Sequence, residues 1–130
     1  QRQMCIRDRV AAIEALEGPQ DHLKYMVEQY RLRRDYVMRR ISEIPGLSCH
    51  APAGTFYAFI DISQLGMPCE EFAMKLLEER QVVVVPGTAF GEFGEGYIRL
   101  SYATSMQCLE QGLQELEEFV RSHKTEGDPA

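Results

Sequence analysis

The apolar pattern of the chain predicts an α+β fold, a small antiparallel or mixed sheet with helices packed on one side. Three observations point there. Long stretches repeat apolar residues every three or four positions, the helical period. Two shorter runs, 55–62 and 97–102, alternate with period two, as half-buried strands do. The segments follow one another as helix, long helix, strand, helix, strand, strand, helix, which is not the strict alternation of a doubly wound sheet.

Each element has its own warrant. Val10 to Glu17 reads as a short helix ended by Gly18-Pro19, and Pro19 is placed to open the next helix at its first turn. In that long helix Leu23, Met26, Val27, Tyr30, Val37, Ile41 and Ile44 form one core-facing stripe, stopped by Pro45-Gly46. Along 55–62, Phe56, Ala58, Ile60 and Ile62 share one face, and Thr55, Tyr57, Phe59 and Asp61 the other. Gly66-Met67-Pro68 introduces a helix over 69–80 with Phe72, Ala73, Leu76 and Leu77 inward. Val82 to Val85, β-branched throughout, is expected to be a central strand buried on both faces. Tyr97 to Tyr102 follows, with Arg99 between Tyr97 and Ser101 on one face. Thr104-Ser105-Met106-Gln107 has the form of a capping box and opens a last helix carrying Leu109, Leu113, Leu116, Phe119 and Val120.

At 130 residues the chain is expected to hold one domain, 10–121. Residues 1–9 fit nothing that follows, resemble translated sequencing-adapter read-through, and are expected to be a non-native leader. The polar stretch 122–130 is expected to be a frayed tail. A net charge of −6 and a pI near 5.1 argue against a nucleic-acid partner. The basic cluster Arg31, Arg33, Arg34, Arg39 and Arg40 reads as a solvated helix face. No apolar run is long enough to span a bilayer, so no membrane role is expected. The four cysteines form no CxxC pair and no zinc-ligand spacing with histidine, which leaves no metal site and a reducing, cytoplasmic setting as the expectation.

No acid–base or nucleophilic constellation is legible. His22, His50 and His123 fall on a helix start, a turn and the tail, and Cys49-His50 stands isolated. Glu78-Glu79 and Glu117-Glu118 are helix-surface pairs. Gly87, Gly91, Gly94 and Gly96 lie between two strands and open no helix, so close backbone approach suits them better than a phosphate cradle. Arg99 is the outlier, a cation among apolar neighbours. It reads either as a fork for a ligand carboxylate or as the partner of Glu92 or Glu95.

Several pieces, in order, carry a family resemblance: Leu16-Glu17-Gly18-Pro19-Gln20-Asp21, Tyr30 with Arg33-Arg34-Asp35, Ile44-Pro45-Gly46, Pro52-x-Gly54-Thr55-Phe56-Tyr57, Val85-Pro86-Gly87-x-x-Phe90-Gly91 and Gly96-Tyr97-Ile98-Arg99-Leu100-Ser101-Tyr102-Ala103. Over about 10–121 the chain resembles the C-terminal portion of class I/II aminotransferases, fold-type I enzymes dependent on pyridoxal 5′-phosphate. The resemblance implies their smaller domain, which moves toward the cofactor domain as substrate binds. It implies that Arg99 binds the α-carboxylate of an amino or 2-oxo acid and that Gly54 and Phe56 lie near the substrate mouth. It also implies a homodimeric parent.

The family's cofactor-anchoring lysine lies in an upstream Ser-Lys motif. Lys24, Lys75 and Lys124 are not in that context, so this stretch alone is expected to be inert, with no catalytic and no cofactor-binding residue of its own. Two other readings stand beside transamination: a pyridoxal-phosphate-dependent carbon–sulfur lyase using the same clamp, and a non-catalytic module that binds amino acids.

Overall fold

The computed structural model describes residues 2–124. Eight elements order as α1 (Arg2–Glu17), α2 (Asp21–Glu43), β1 (Ser48–Cys49), β2 (Tyr57–Asp61), α3 (Cys69–Arg80), β3 (Val85–Pro86), β4 (Tyr97–Ser101) and α4 (Met106–Lys124). Single 3₁₀ turns lie at 63–65, 87–90 and 92–94. Of the expected tail, 122–124 close α4, and 125–130 lie outside the described residues.

The four strands form one antiparallel sheet in the order β1-β2-β4-β3. Its centre is the β2–β4 ladder, with Ala58 opposite Leu100 and Ile60 opposite Ile98. All four of these side chains point to one face and are buried, as the period-two pattern requires. Three helices cover that face. Val37 and Ile41 of α2, Phe72 and Leu76 of α3, and Leu113, Leu116 and Phe119 of α4 complete the core. Phe72 meets Phe119 edge-on at 5.1 Å, a preferred aromatic geometry. The fold class is therefore α+β with a helical layer on one side of a small antiparallel sheet.

Several local expectations are corrected: Leu77, expected inward on α3, is 40 % exposed, and the first helix begins at Arg2, not at Val10. The valine run is not a central strand. Only Val85 joins the ladder, at the sheet edge, with Val84 buried and Val83 74 % exposed. β-branched residues suit extended backbone anywhere; burial depends on what covers each face, and among the described residues helices cover one face only. The stripe on α2 is buried only in its C-terminal half, for Leu23, Met26 and Val27 are exposed. Pro19 precedes α2 instead of occupying its first turn. Gln20 is the N-cap and donates its side-chain amide to the carbonyls of Ala15 and Gly18. Lastly, Ser105 caps α4, not Thr104: its Oγ accepts the Cys108 N–H at 3.2 Å, one residue later than the capping-box spacing placed it.

Pro45 ends α2 as expected. Ile44, just before it, takes the extended conformation that the proline ring imposes. Arg40 reaches across to α4 and bonds Glu117 at 2.7 Å, so the basic cluster is more than a solvated face.

Candidate functional site

The sheet face away from the helices carries Tyr57 and Phe59 from β2 and Tyr97 and Arg99 from β4, because alternation sends these positions opposite to Ala58, Ile60, Ile98 and Leu100. Register places Arg99 beside Phe59 on one flank and Val85 on the other. Its guanidinium carbon lies 4.8 Å from the Phe90 ring centre and 5.4 Å from that of Tyr57. Phe59 stacks on Tyr97 at 5.1 Å and meets Phe90 edge-on at 6.0 Å, so the cation sits in a continuous aromatic wall.

Arg99 enters none of the ion pairs among the described residues. Neither of the glutamates that spacing offered as partners pairs with it among the described residues. Glu95 caps α3, accepting the Cys69 backbone N–H at 2.9 Å and the Cys69 thiol at 3.4 Å. The backbone bond, then the thiol, holds the Glu95 carboxyl below the usual range. Glu92 is exposed in the 92–94 turn and enters no ion pair among the described residues. The alternative of a locally neutralised arginine is thus set aside, and the chemical capacity left is a half-buried, donor-rich cation with aromatic flanks.

Gly54 and Phe56 fall elsewhere. They line a cleft of about 260 Å³ between α2 and the 52–56 loop, together with Val27, Tyr30, Arg34 and Tyr102. Arg99 is not part of that cleft. The two places adjoin where Phe56 precedes Tyr57 in the chain and meets its ring edge-on at 5.7 Å. Thr55 holds φ +78°, unusual for a β-branched residue, and the Tyr102 hydroxyl donates to its carbonyl at 3.1 Å. Burial raises the Tyr102 pKa and keeps this donor protonated.

Other residues that the sequence marked have local structural surroundings of their own. Gly87 and Gly94 are buried against each other, and a Cβ on either would strike the partner's carbonyl oxygen. Close backbone approach is what these glycines serve within the chain. Cys49 donates its thiol to the Phe59 carbonyl at 3.1 Å, and burial pushes its pKa up, opposite to an activated nucleophile. Among the described residues no three His, Cys, Asp or Glu side chains gather as a metal site. No helix of the described residues is long and apolar enough to cross a membrane. Sequence reasoning did not single out Phe90 or Tyr57 for the Arg99 site. Period-two alternation put Tyr57 on some outward face, but only the β2–β4 register shows that it is the face of Arg99.

An antiparallel sheet covered by helices on one face, with Arg99 on the other, defines a fold class but not yet a family. The family model for aminotransferase class I and II matches residues 9–116, and the chain belongs to that family. An aspartate aminotransferase of Pyrococcus horikoshii is 42% identical over 118 residues, covering 89% of this chain and 30% of the relative. The solved alanine aminotransferase from Pyrococcus furiosus superposes with a TM-score of 0.82 at 37% identity, over 86% of this chain and 29% of that one. An aromatic aminotransferase from Pyrococcus horikoshii superposes with a TM-score of 0.83 at 38% identity, over 88% and 31%. The chain therefore spans about three-tenths of the length of these relatives.

Proposed function

We propose that the chain is the C-terminal, substrate-carboxylate domain of an aminotransferase that exchanges an amino group between an amino acid and a 2-oxo acid. The observation that carries it is Arg99, a half-buried cation with no ion-pair partner among the described residues, in a chain of the aminotransferase family. Its fork can bind a carboxylate bidentately, fixing both position and plane. The aromatic wall lowers the local dielectric and strengthens that pairing. Gly54 and Phe56 form part of the substrate mouth, linked to the arginine through Tyr57.

Family membership implies pyridoxal 5′-phosphate, which supplies an electron sink when bound. The described residues do not fit an anchoring role for it. Lys24 and Lys75 are ion-paired on helix surfaces with Asp21 and Glu71, and the Gly87–Gly94 contact is closed by its own backbone. What the chain's own residues do in this reading is bind and orient the acid. The parent enzyme is a cytoplasmic homodimer in the same reading, with small amino and oxo acids as its partners.

The test is made in a full-length aminotransferase polypeptide that carries this chain. Arg99→Ala is expected to cost about 2–5 kcal/mol of transition-state binding for carboxylate substrates. An unchanged kcat/KM would refute the role.

A further inference from the structure

We propose that Phe90 and Tyr57 are positioning residues that bracket the Arg99 guanidinium and hold it without consuming its donors. This rests on the reading of Arg99 as the carboxylate-binding group.

A guanidinium has five N–H donors and no acceptor. Beside a glutamate, its charge would be neutralised and its fork already filled. Aromatic rings attract a cation through the negative potential of their faces and take up none of the strong in-plane hydrogen bonds. Arg99 lies 4.8 Å from one ring centre and 5.4 Å from the other. It is thereby immobilised while still uncompensated, which is the state that favours an incoming anion.

The fold fixes both rings. Tyr57 is in the central ladder, opposite Ser101. Phe90 ends the 87–90 turn, which is anchored on its neighbours. Gly87 packs on the Gly94 backbone, and the Thr88 hydroxyl donates to Glu70 on α3 at 2.9 Å. Phe59 closes edge-on behind Phe90.

The experiment uses the ¹⁵N-labelled 130-residue chain and follows the Arg99 Nε–Hε signal and its δ-protons by NMR. Titration is with pyruvate and, as the uncharged control, pyruvamide. In the wild type, ring currents are expected to shift the Arg99 δ-protons upfield of those of the exposed arginines, and pyruvate but not pyruvamide to move the Nε–Hε signal. Phe90→Leu keeps apolar bulk but removes the ring. It is expected to weaken the pyruvate response about three- to tenfold, and Phe90→Trp to restore it. Tyr57→Leu supplies the same test should the Phe90 variant lose its folded spectrum. Unshifted δ-protons in the wild type, or full pyruvate affinity in Phe90→Leu while Arg99→Ala abolishes binding, would overturn the bracket and leave the carboxylate reading standing. Wild-type pyruvate binding by Arg99→Ala would overturn both.

Discussion

At the scale of single residues, the most consequential ionic choice in the chain is where Glu95 spends its charge. It lies four positions before Arg99 yet bonds the first turn of α3, accepting from the backbone and the thiol of Cys69. A carboxylate there satisfies an amide that the helix itself cannot, and the helix dipole favours its negative form. The depressed pKa follows first from the backbone bond and then from the thiol. The sign is fixed by linkage. A carboxyl whose folded pKa lies below its unfolded value adds stability that is complete above the unfolded pKa and is lost as pH falls through the folded one. Glu95→Gln keeps an acceptor but cannot titrate. The gap in urea-unfolding free energy between wild type and Glu95→Gln should therefore hold steady from about pH 5 to 7 and narrow below about pH 4. An identical gap at about pH 3 and pH 7 would show that the bond is worth the same whether or not it is charged.

Among elements, the 87–94 loop decides whether the open sheet face has any shape. Gly87 and Gly94 let two backbone segments touch, and that contact places the Phe90 turn over β4. Gly87→Ala would drive a Cβ into the Gly94 and Tyr97 carbonyl oxygens. Neither is the end of a flexible side chain, so relief requires moving the loop, and the loss should be about 3 kcal/mol or more in chemical denaturation. A smaller loss would mean the loop yields easily, and the Arg99 ring-current shifts would then collapse with it. Elements of this kind were only partly legible beforehand. β2 and β4 could be read from alternation because one of their faces is buried, and that same rule put Arg99 on the outward face. Val82–Val85 could not be ranked as edge or centre, since strand order is a long-range property and its β-branched residues suit both. The α4 cap slipped by one residue because Thr104 and Ser105 are both competent caps, and only the helix start at Met106 distinguishes them. The aromatic flank of Arg99 joins positions 57, 90 and 99, a proximity that no local pattern encodes.

For the whole molecule, the packed unit begins partway along α2. Val37, Ile41 and Ile44 are buried, whereas α1 is exposed from residue 5 onward and Ile6, Val10 and Ile13 are among its exposed apolar side chains. These three recur at spacings of four and three and so share one helix face. A helix of 16 residues without tertiary packing is marginal in water. Its ordering therefore contributes little to the cooperative unit, while its apolar stripe is free to find another surface. Removing residues 1–17 should leave the urea-unfolding free energy of the core transition unchanged within about 0.5 kcal/mol, with the same slope. The same truncation should lower any concentration-dependent sedimentation of the chain, because it deletes the stripe without touching the sheet. A drop of several kcal/mol would instead place α1 inside the cooperative core. Unchanged association would shift attention to Leu23, Met26 and Val27 on the exposed half of α2.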